Sequence, residues 1–164
     1  MSEERAQQLI ESLRLEPHPE GGHYSETWRS RLQVTPADGR GARSALTTIY
    51  FLLPAGAVSR WHRVRSDETW IHIEGAPLEL LKIPPTEWQF DSVRLGPLAA
   101  GQVPVASVPA GWWQAARSLG TYTLVCCTVG PGFDFEDFEL MSDRPEIVAQ
   151  LKATPDAGDA PRLA

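Results

Sequence analysis

The sequence predicts an all-β fold, a jelly-roll barrel with a short helix at each end. Fourteen Pro and thirteen Gly are spread through the chain as punctuation, too many for a helical bundle. Between them lie eight or more short apolar runs with no helical pattern separating them, the rhythm of an antiparallel barrel or sandwich. A chain of 164 residues that is 42% apolar suits one domain with one substantial core.

Taken in order, Ser2 to Leu15 predicts the first helix. Ser2 can cap it, Glu3 and Glu4 suit its N-terminal dipole, and Leu9, Ile10 and Leu13 form one apolar stripe. Leu15 to Gly22 holds two Pro and two Gly and reads as a loop that redirects the chain. His23 to Arg31 reads as a strand with His23, Ser25, Thr27 and Arg29 on one face and Tyr24, Glu26, Trp28 and Ser30 on the other. Gln33 to Arg43 reads as a mobile loop, and Ser44 to Leu53, β-branched and aromatic, as a buried strand. Strand-sized runs follow at Val58–Val64, Glu68–Glu74, Leu78–Ile83, Trp88–Leu95, Val103–Val108, Gln114–Arg117 and Tyr122–Val129. Asp143 and Glu146 form a capping box around Pro145, predicting a helix to about residue 153. The single domain is therefore expected over residues 1–153. Residues 154–164 have little to bury and are expected to be disordered. No internal repeat is evident.

With 21 acidic against 15 basic residues the formal charge is −6, which argues against nucleic acid or an anionic membrane surface as a partner. No run of about 18 apolar residues occurs, and a soluble, cytoplasmic protein is expected. Cys126 and Cys127 are adjacent in an apolar run, where neighbouring side chains face opposite ways. They read as reduced thiols.

The spacing of Gly56, His62, Glu68 and Gly75 is similar to the first signature of the cupin superfamily, with Val64 where that signature has a second histidine. Gly101, Pro109, Gly111 and Gln114 resemble the second signature, with an amide in place of its final histidine. The stretches HPEGGHYSETWRS, SRWHRVRSDETWIHIEG, VPAGWWQAA and CCTVGPGFDFEDFEL look like the small cupins grouped as a domain of unknown function. The resemblance implies a cupin jelly-roll β-barrel of the kind found in deoxysugar epimerases and seed storage proteins, usually a homodimer. It leaves activity open, because cupins include epimerases, isomerases, dioxygenases, decarboxylases and non-catalytic binders.

Strand alternation puts Arg60, His62 and Val64 on one face, and Glu68, Trp70 and His72 on one face of the next strand. With His62 facing inward, as the resemblance implies, these groups converge with Gln114, and with Thr48 and Tyr50 from the preceding strand. His62 and Glu68 are the candidate catalytic pair, since a carboxylate orients an imidazole and stabilises its cationic form. Candidate substrate-binding residues are Tyr24, Thr48, Tyr50, Arg60, Trp70, His72, Gln114 and Phe133. Phe133 and Phe135 are placed at the barrel mouth with Asp137 near it. Against these stand plainer readings: a half-buried structural His62, a His72 bonded within the barrel wall, and tryptophans that pack a core.

The cupin metal site uses three His and one Glu, of which only His62 and Glu68 are matched here, so no metal or other cofactor is favoured. A divalent metal held by His62, Glu68, His72 and Gln114 is the alternative. The leading expectation is a metal-independent epimerase or isomerase acting on a sugar-like or carbonyl compound. A metal-dependent dioxygenase or lyase, and a non-catalytic metabolite-binding protein, are the competing readings.

Overall fold

The computed structural model describes residues 2–164. Met1 and the side chain of Ser2, the expected helix cap, lie outside the described residues. The elements run α1 (Ser2–Ser12), β1 (Glu16–Pro17), β2 (His23–Arg29), β3 (Gln33–Val34), β4 (Arg43–Ser44), β5 (Thr47–Pro54), β6 (Val58–Val64) and β7 (Asp67–Gly75). There follow β8 (Leu78–Ile83), β9 (Asp91–Leu95), β10 (Val105–Val108), β11 (Trp113–Ser118), β12 (Tyr122–Gly130), β13 (Phe138–Leu140) and α2 (Pro145–Ala153).

Two antiparallel sheets face each other in a jelly roll. One has the order β1-β2-β5-β12-β7-β10, the other β13-β6-β11-β8-β9. Period-two alternation then divides the apolar residues among separate cores. Phe51, Leu53, Trp70, Leu78, Leu80, Leu95 and Val125 pack between the sheets. On the outside of the six-stranded sheet, α1 lays Ala6 and Leu9 on Leu52, Tyr122 and Leu124. Arg5 fastens that helix through Glu74, which also accepts from Tyr122 Oη at 2.8 Å.

The outer face of the five-stranded sheet is covered by α2 and the chain end, which bury Leu151, Ala160 and Leu163 against Trp61 and Trp113. Trp61 Nε1 donates to the Ala160 carbonyl at 2.8 Å, and Trp88 Nε1 to Thr154 Oγ1 at 2.7 Å. Residues 154–164 are thus packed rather than free, contrary to the expectation of disorder. The buried Ala157, Ala160 and Leu163 and two indole bonds do what the composition did not suggest.

The expected capping box does not form. Arg144 is the N-cap and makes no side-chain cap bond, and Asp143 belongs to a short 3-10 turn before Pro145 at the helix start. The expected mobile loop is also anchored. β3 pairs with β4, and Arg40 and Arg43 both bond the buried Asp137 carboxylate, Arg43 through two nitrogens at 2.9 Å. Arg43 in turn holds the Asp137 carboxyl below its ordinary range.

Bulges decide which side chains face inward. On β2, Glu26 pairs with Ile49 and Trp28 with Thr48, so Thr27 is an extra residue. On β6, Ser59 pairs with Ala116 and His62 with Gln114, leaving an extra residue between them. Each bulge reverses the alternation beyond it.

Candidate functional site

One end of the space between the sheets is left open as a cavity of about 270 Å³. β5 contributes Thr47, Ile49 and Phe51, β2 contributes Tyr24, Glu26 and Arg29, and β6 contributes His62 and Val64. Glu68 of β7 and Cys127 and Val129 of β12 line it from the same sheet as β2 and β5, with β6 opposite. Phe133, Asp134 and Phe135, which follow a cis Gly130–Pro131 bond, edge its mouth.

The remaining lining residues are His18 and Glu20, from the loop between β1 and β2. That loop is drawn against β6: Arg60 N donates to the Glu20 carbonyl at 2.7 Å, and the Arg60 guanidinium bonds the Pro19 carbonyl at 2.6 Å. Gly21 makes the approach possible. Its φ is +110°, and a Cβ there would sit 2.0 Å from the Val58 carbonyl oxygen.

The loop delivers the Glu20 carboxyl to the end of the His62 ring. Glu20 Oε2 lies 3.1 Å from His62 Nε2, while Ser59 Oγ donates to Glu20 Oε1 at 2.8 Å. His62 Nδ1 is 2.7 Å from the Arg60 carbonyl, which can only accept, so Nδ1 carries a proton. Nε2 and Oε2 must then share one further proton, because two lone pairs do not face each other at 3.1 Å without one. Burial raises the Glu20 pKa to about 8, against the smaller lowering by Ser59 and Arg60, and burial pushes that of His62 down. Both shifts favour the uncharged pair at neutral pH, with the shared proton on Glu20.

Glu68 is the second buried carboxyl. Burial raises its pKa to about 7, in spite of the lowering influence of His62 and of the bond from Gln114 Nε2 at 2.6 Å. Gln114 Oε1 accepts from Trp70 Nε1 at 2.9 Å, so a tryptophan-to-amide-to-carboxyl chain sets the position of Glu68. Cys127 is the thiol beside Glu68. Burial, then Glu68 and Glu20, hold its pKa well above the ordinary value, and both cysteines are free.

Of the residues expected in the pocket, His62, Glu68, Tyr24 and Phe133 line it, and Phe135 lies at its mouth as anticipated. Six others do not. Thr48 and Tyr50 are in the opposite phase of β5 from Thr47 and Ile49, and Tyr50 packs beneath α1. Arg60 is displaced by the β6 bulge and holds the loop instead. Trp70 is core and Gln114 sits behind Glu68, both fully buried outside the lining. His72 bonds the Ala76 carbonyl at 3.2 Å within the barrel wall. Apart from these six, Asp137, expected near the mouth, is committed to Arg40 and Arg43. The sequence reading missed His18, Glu20 and Arg29. A turn-rich loop carrying His-Pro-Glu-Gly-Gly ahead of a strand was the available signal for the first two.

The donor set does not fit the cupin metal site. Val64 lines the cavity where a second histidine would be, and Gln114 Oε1, the one oxygen of that side chain, already accepts from Trp70. Among the described residues no cluster of three or more His, Cys, Asp or Glu is arranged to hold a metal ion. Among the same residues no helix is long and apolar enough to cross a membrane.

A jelly-roll barrel with a half-polar cavity at one end, and the signature positions His62 and Glu68 inside it, defines a small cupin. Comparison with known proteins agrees, since the family model described as Cupin superfamily (DUF985) matches residues 7–141. The chain belongs to that family. It is similar to a crystal structure of a protein from Shewanella oneidensis, at 36% identity and a TM-score of 0.81 over 97% of this chain and 96% of that one. A hypothetical protein from Leishmania major is also 36% identical, with a TM-score of 0.77 over 86% of this chain and 93% of its own. An uncharacterised protein of Saccharomyces cerevisiae is 29% identical over 86% of this chain and 77% of that sequence.

Proposed function

We propose that this cupin is a proton-transfer enzyme of the isomerase or epimerase type, acting on a small carbonyl compound without a resident metal. The observation that carries the reading is the pairing of proton-holding groups on one cavity. Glu68, with a pKa brought to about 7, is part ionised at neutral pH, and the Glu20–His62 pair holds one proton to give. Such groups are suited to opposite ends of an acid–base reaction.

Glu68 accepts the proton from the carbon next to the carbonyl, and the C–H electron pair moves towards the carbonyl oxygen. The proton that Glu20 shares with His62 passes to the substrate from Glu20 Oε2, with His62 Nε2 holding that carboxyl in place, and exchange with water restores both groups. The sequence-level pairing of Glu68 with His62 is thereby revised: Glu20 orients the imidazole, and Glu68 acts separately. Hydrogen bonds from Ser59 and Gln114 hold the two carboxyls in place.

The test is exchange of substrate carbon-bound hydrogen in D₂O, followed by NMR over a panel of small aldoses, ketoses and hydroxyketones. Glu68→Gln and His62→Ala are expected to lower exchange at least about a hundredfold, the usual contribution of a positioned general acid or base. Exchange at the wild-type rate in either folded variant removes that residue from the mechanism.

A further inference from the structure

His18 has no part in the proton path above, yet its ring is held in one tautomer. The backbone N–H of Glu20 donates to His18 Nδ1 at 3.1 Å, and a ring nitrogen that accepts carries no proton. The neutral ring therefore has its proton on Nε2. Among the described residues, the polar contacts of this ring are those of Nδ1 to Glu20, the carboxyl oxygen being 3.6 Å away. The Nε2–H group is thus left without a protein acceptor on a side chain that is only 5% exposed and lines the cavity.

The ring stands among aromatic neighbours: its centroid is 4.6 Å from that of Tyr24, 5.9 Å from Phe135 and 6.5 Å from Phe133. Burial, with a contribution from His62, lowers its pKa to about 4, so the ring is uncharged at neutral pH. The cation lining the cavity, Arg29, is already bound through two nitrogens to Glu26 at 2.7 and 3.0 Å. An anionic ligand would meet the part-ionised Glu68 and Asp134 with no free positive partner among the described lining residues. A cationic ligand would meet the positive end of the His18 N–H dipole, with Glu20 protonated, Glu26 paired to Arg29 and Asp134 Oδ1 accepting from Glu136 N.

We infer that His18 is the ligand-recognising donor of this cavity and that the ligand it selects is an uncharged carbonyl compound. The carbonyl oxygen accepts from Nε2–H, and the carbon frame lies against Tyr24, Phe133 and Phe135. Resting on the proton-transfer reading, the same bond stabilises the oxygen that receives the electron pair when Glu68 removes the adjacent proton. A neutral imidazole donor suits that task, since it polarises the oxygen without surrendering its proton.

The experiment uses four probes of one shape with the full-length protein: cyclohexanone, methylenecyclohexane, cyclohexanecarboxylate and cyclohexylammonium. Ligand-observed NMR is expected to give cyclohexanone a dissociation constant at least about tenfold below each of the others, as for a buried donor left unpaired by the wrong ligand. His18→Phe removes the preference for cyclohexanone over methylenecyclohexane, while His18→Asn, which keeps a donor, retains part of it. Nitrogen shifts of the wild-type ring report a protonated Nε2 that moves on adding cyclohexanone, a readout independent of whether the variants fold. Tightest binding of the carboxylate or the ammonium, no binding of cyclohexanone, or a proton found on Nδ1 overturns the proposal. Cyclohexanone that binds through His18 but exchanges no α-hydrogen overturns the proton-transfer reading alone.

Discussion

The two ends of the barrel interior share strands β5, β7 and β12 and differ in almost everything else. At the closed end Leu53, Leu78, Leu80, Leu95 and Val125 are almost fully buried and interlock from both sheets. At the open end the same alternation brings His62, Glu68 and Cys127 inward, and a loop adds His18 and Glu20. The closed end is held mainly by apolar contact, with the buried Thr123 hydroxyl bonded to Ser118 and to the Ala76 carbonyl. The open end keeps two carboxyls out of water by raising their pKa values and spending Ser59, Gln114 and Trp70 on hydrogen bonds to hold them. The contrast teaches that the fold's stability and its chemistry are separated along one axis of the barrel, so each can be broken without the other.

The largest expected effect lies at the closed end. Leu80→Ala should cost roughly 2–5 kcal/mol in denaturant unfolding, the range for a large-to-small change in a packed core. Residual folded protein should keep the ionisation behaviour of Glu20 and Glu68. Altered titration of those groups would show that the ends are coupled.

At the open end, Glu68→Gln should leave the fold intact, since Gln114 can still donate to an amide oxygen, while catalysis falls about a hundredfold, or about 2.7 kcal/mol of barrier. A variant that unfolds would show that the carboxyl is structural.

Smaller is the effect of Glu20→Gln on stability against pH. The folded Glu20 pKa, about 8, is above the ordinary 4.5, so its contribution is full below 4.5 and lost as pH rises through about 8. His62, with its pKa lowered, works the other way, contributing above its ordinary 6.5 and losing that contribution as pH falls. An amide at position 20 still donates to His62 Nε2 but does not ionise. The variant should therefore gain on the wild type between pH 5 and 9 in parallel thermal melts. Parallel curves across that range would mean that Glu20 ionises normally.

Smallest is Arg29→Ala at the mouth. Its pair with Glu26 is well exposed, and such pairs contribute about 0–1 kcal/mol, so the melting temperature should hardly move.

The strands were legible where short apolar runs lie between turn residues, as at Leu78–Ile83, whose bounds match the strand found. The open end was legible where a residue stands ahead of any irregularity, as Tyr24 does, at a signature position, as His62 and Glu68 do, or in the alternating run that carries Phe133 and Phe135. Beyond Thr27 the β2 bulge turns Trp28 outward and Arg29 inward, and the β6 bulge takes Arg60 away from His62. An inserted residue leaves no mark in a hydrophobic pattern that is already polar. Glu20 was hidden for a different reason: it reaches His62 across 42 positions of chain by a loop contact, which no local periodicity records.

The central claim is that two carboxyls in the cavity hold protons near neutral pH, one of them shared with His62. Carbon-13 NMR titration of selectively labelled glutamates tests it directly, with Glu20→Gln and Glu68→Gln providing the assignments. The account predicts midpoints of about 8 for Glu20 and about 7 for Glu68. Midpoints for both near 4.5, the ordinary glutamate value, would contradict it.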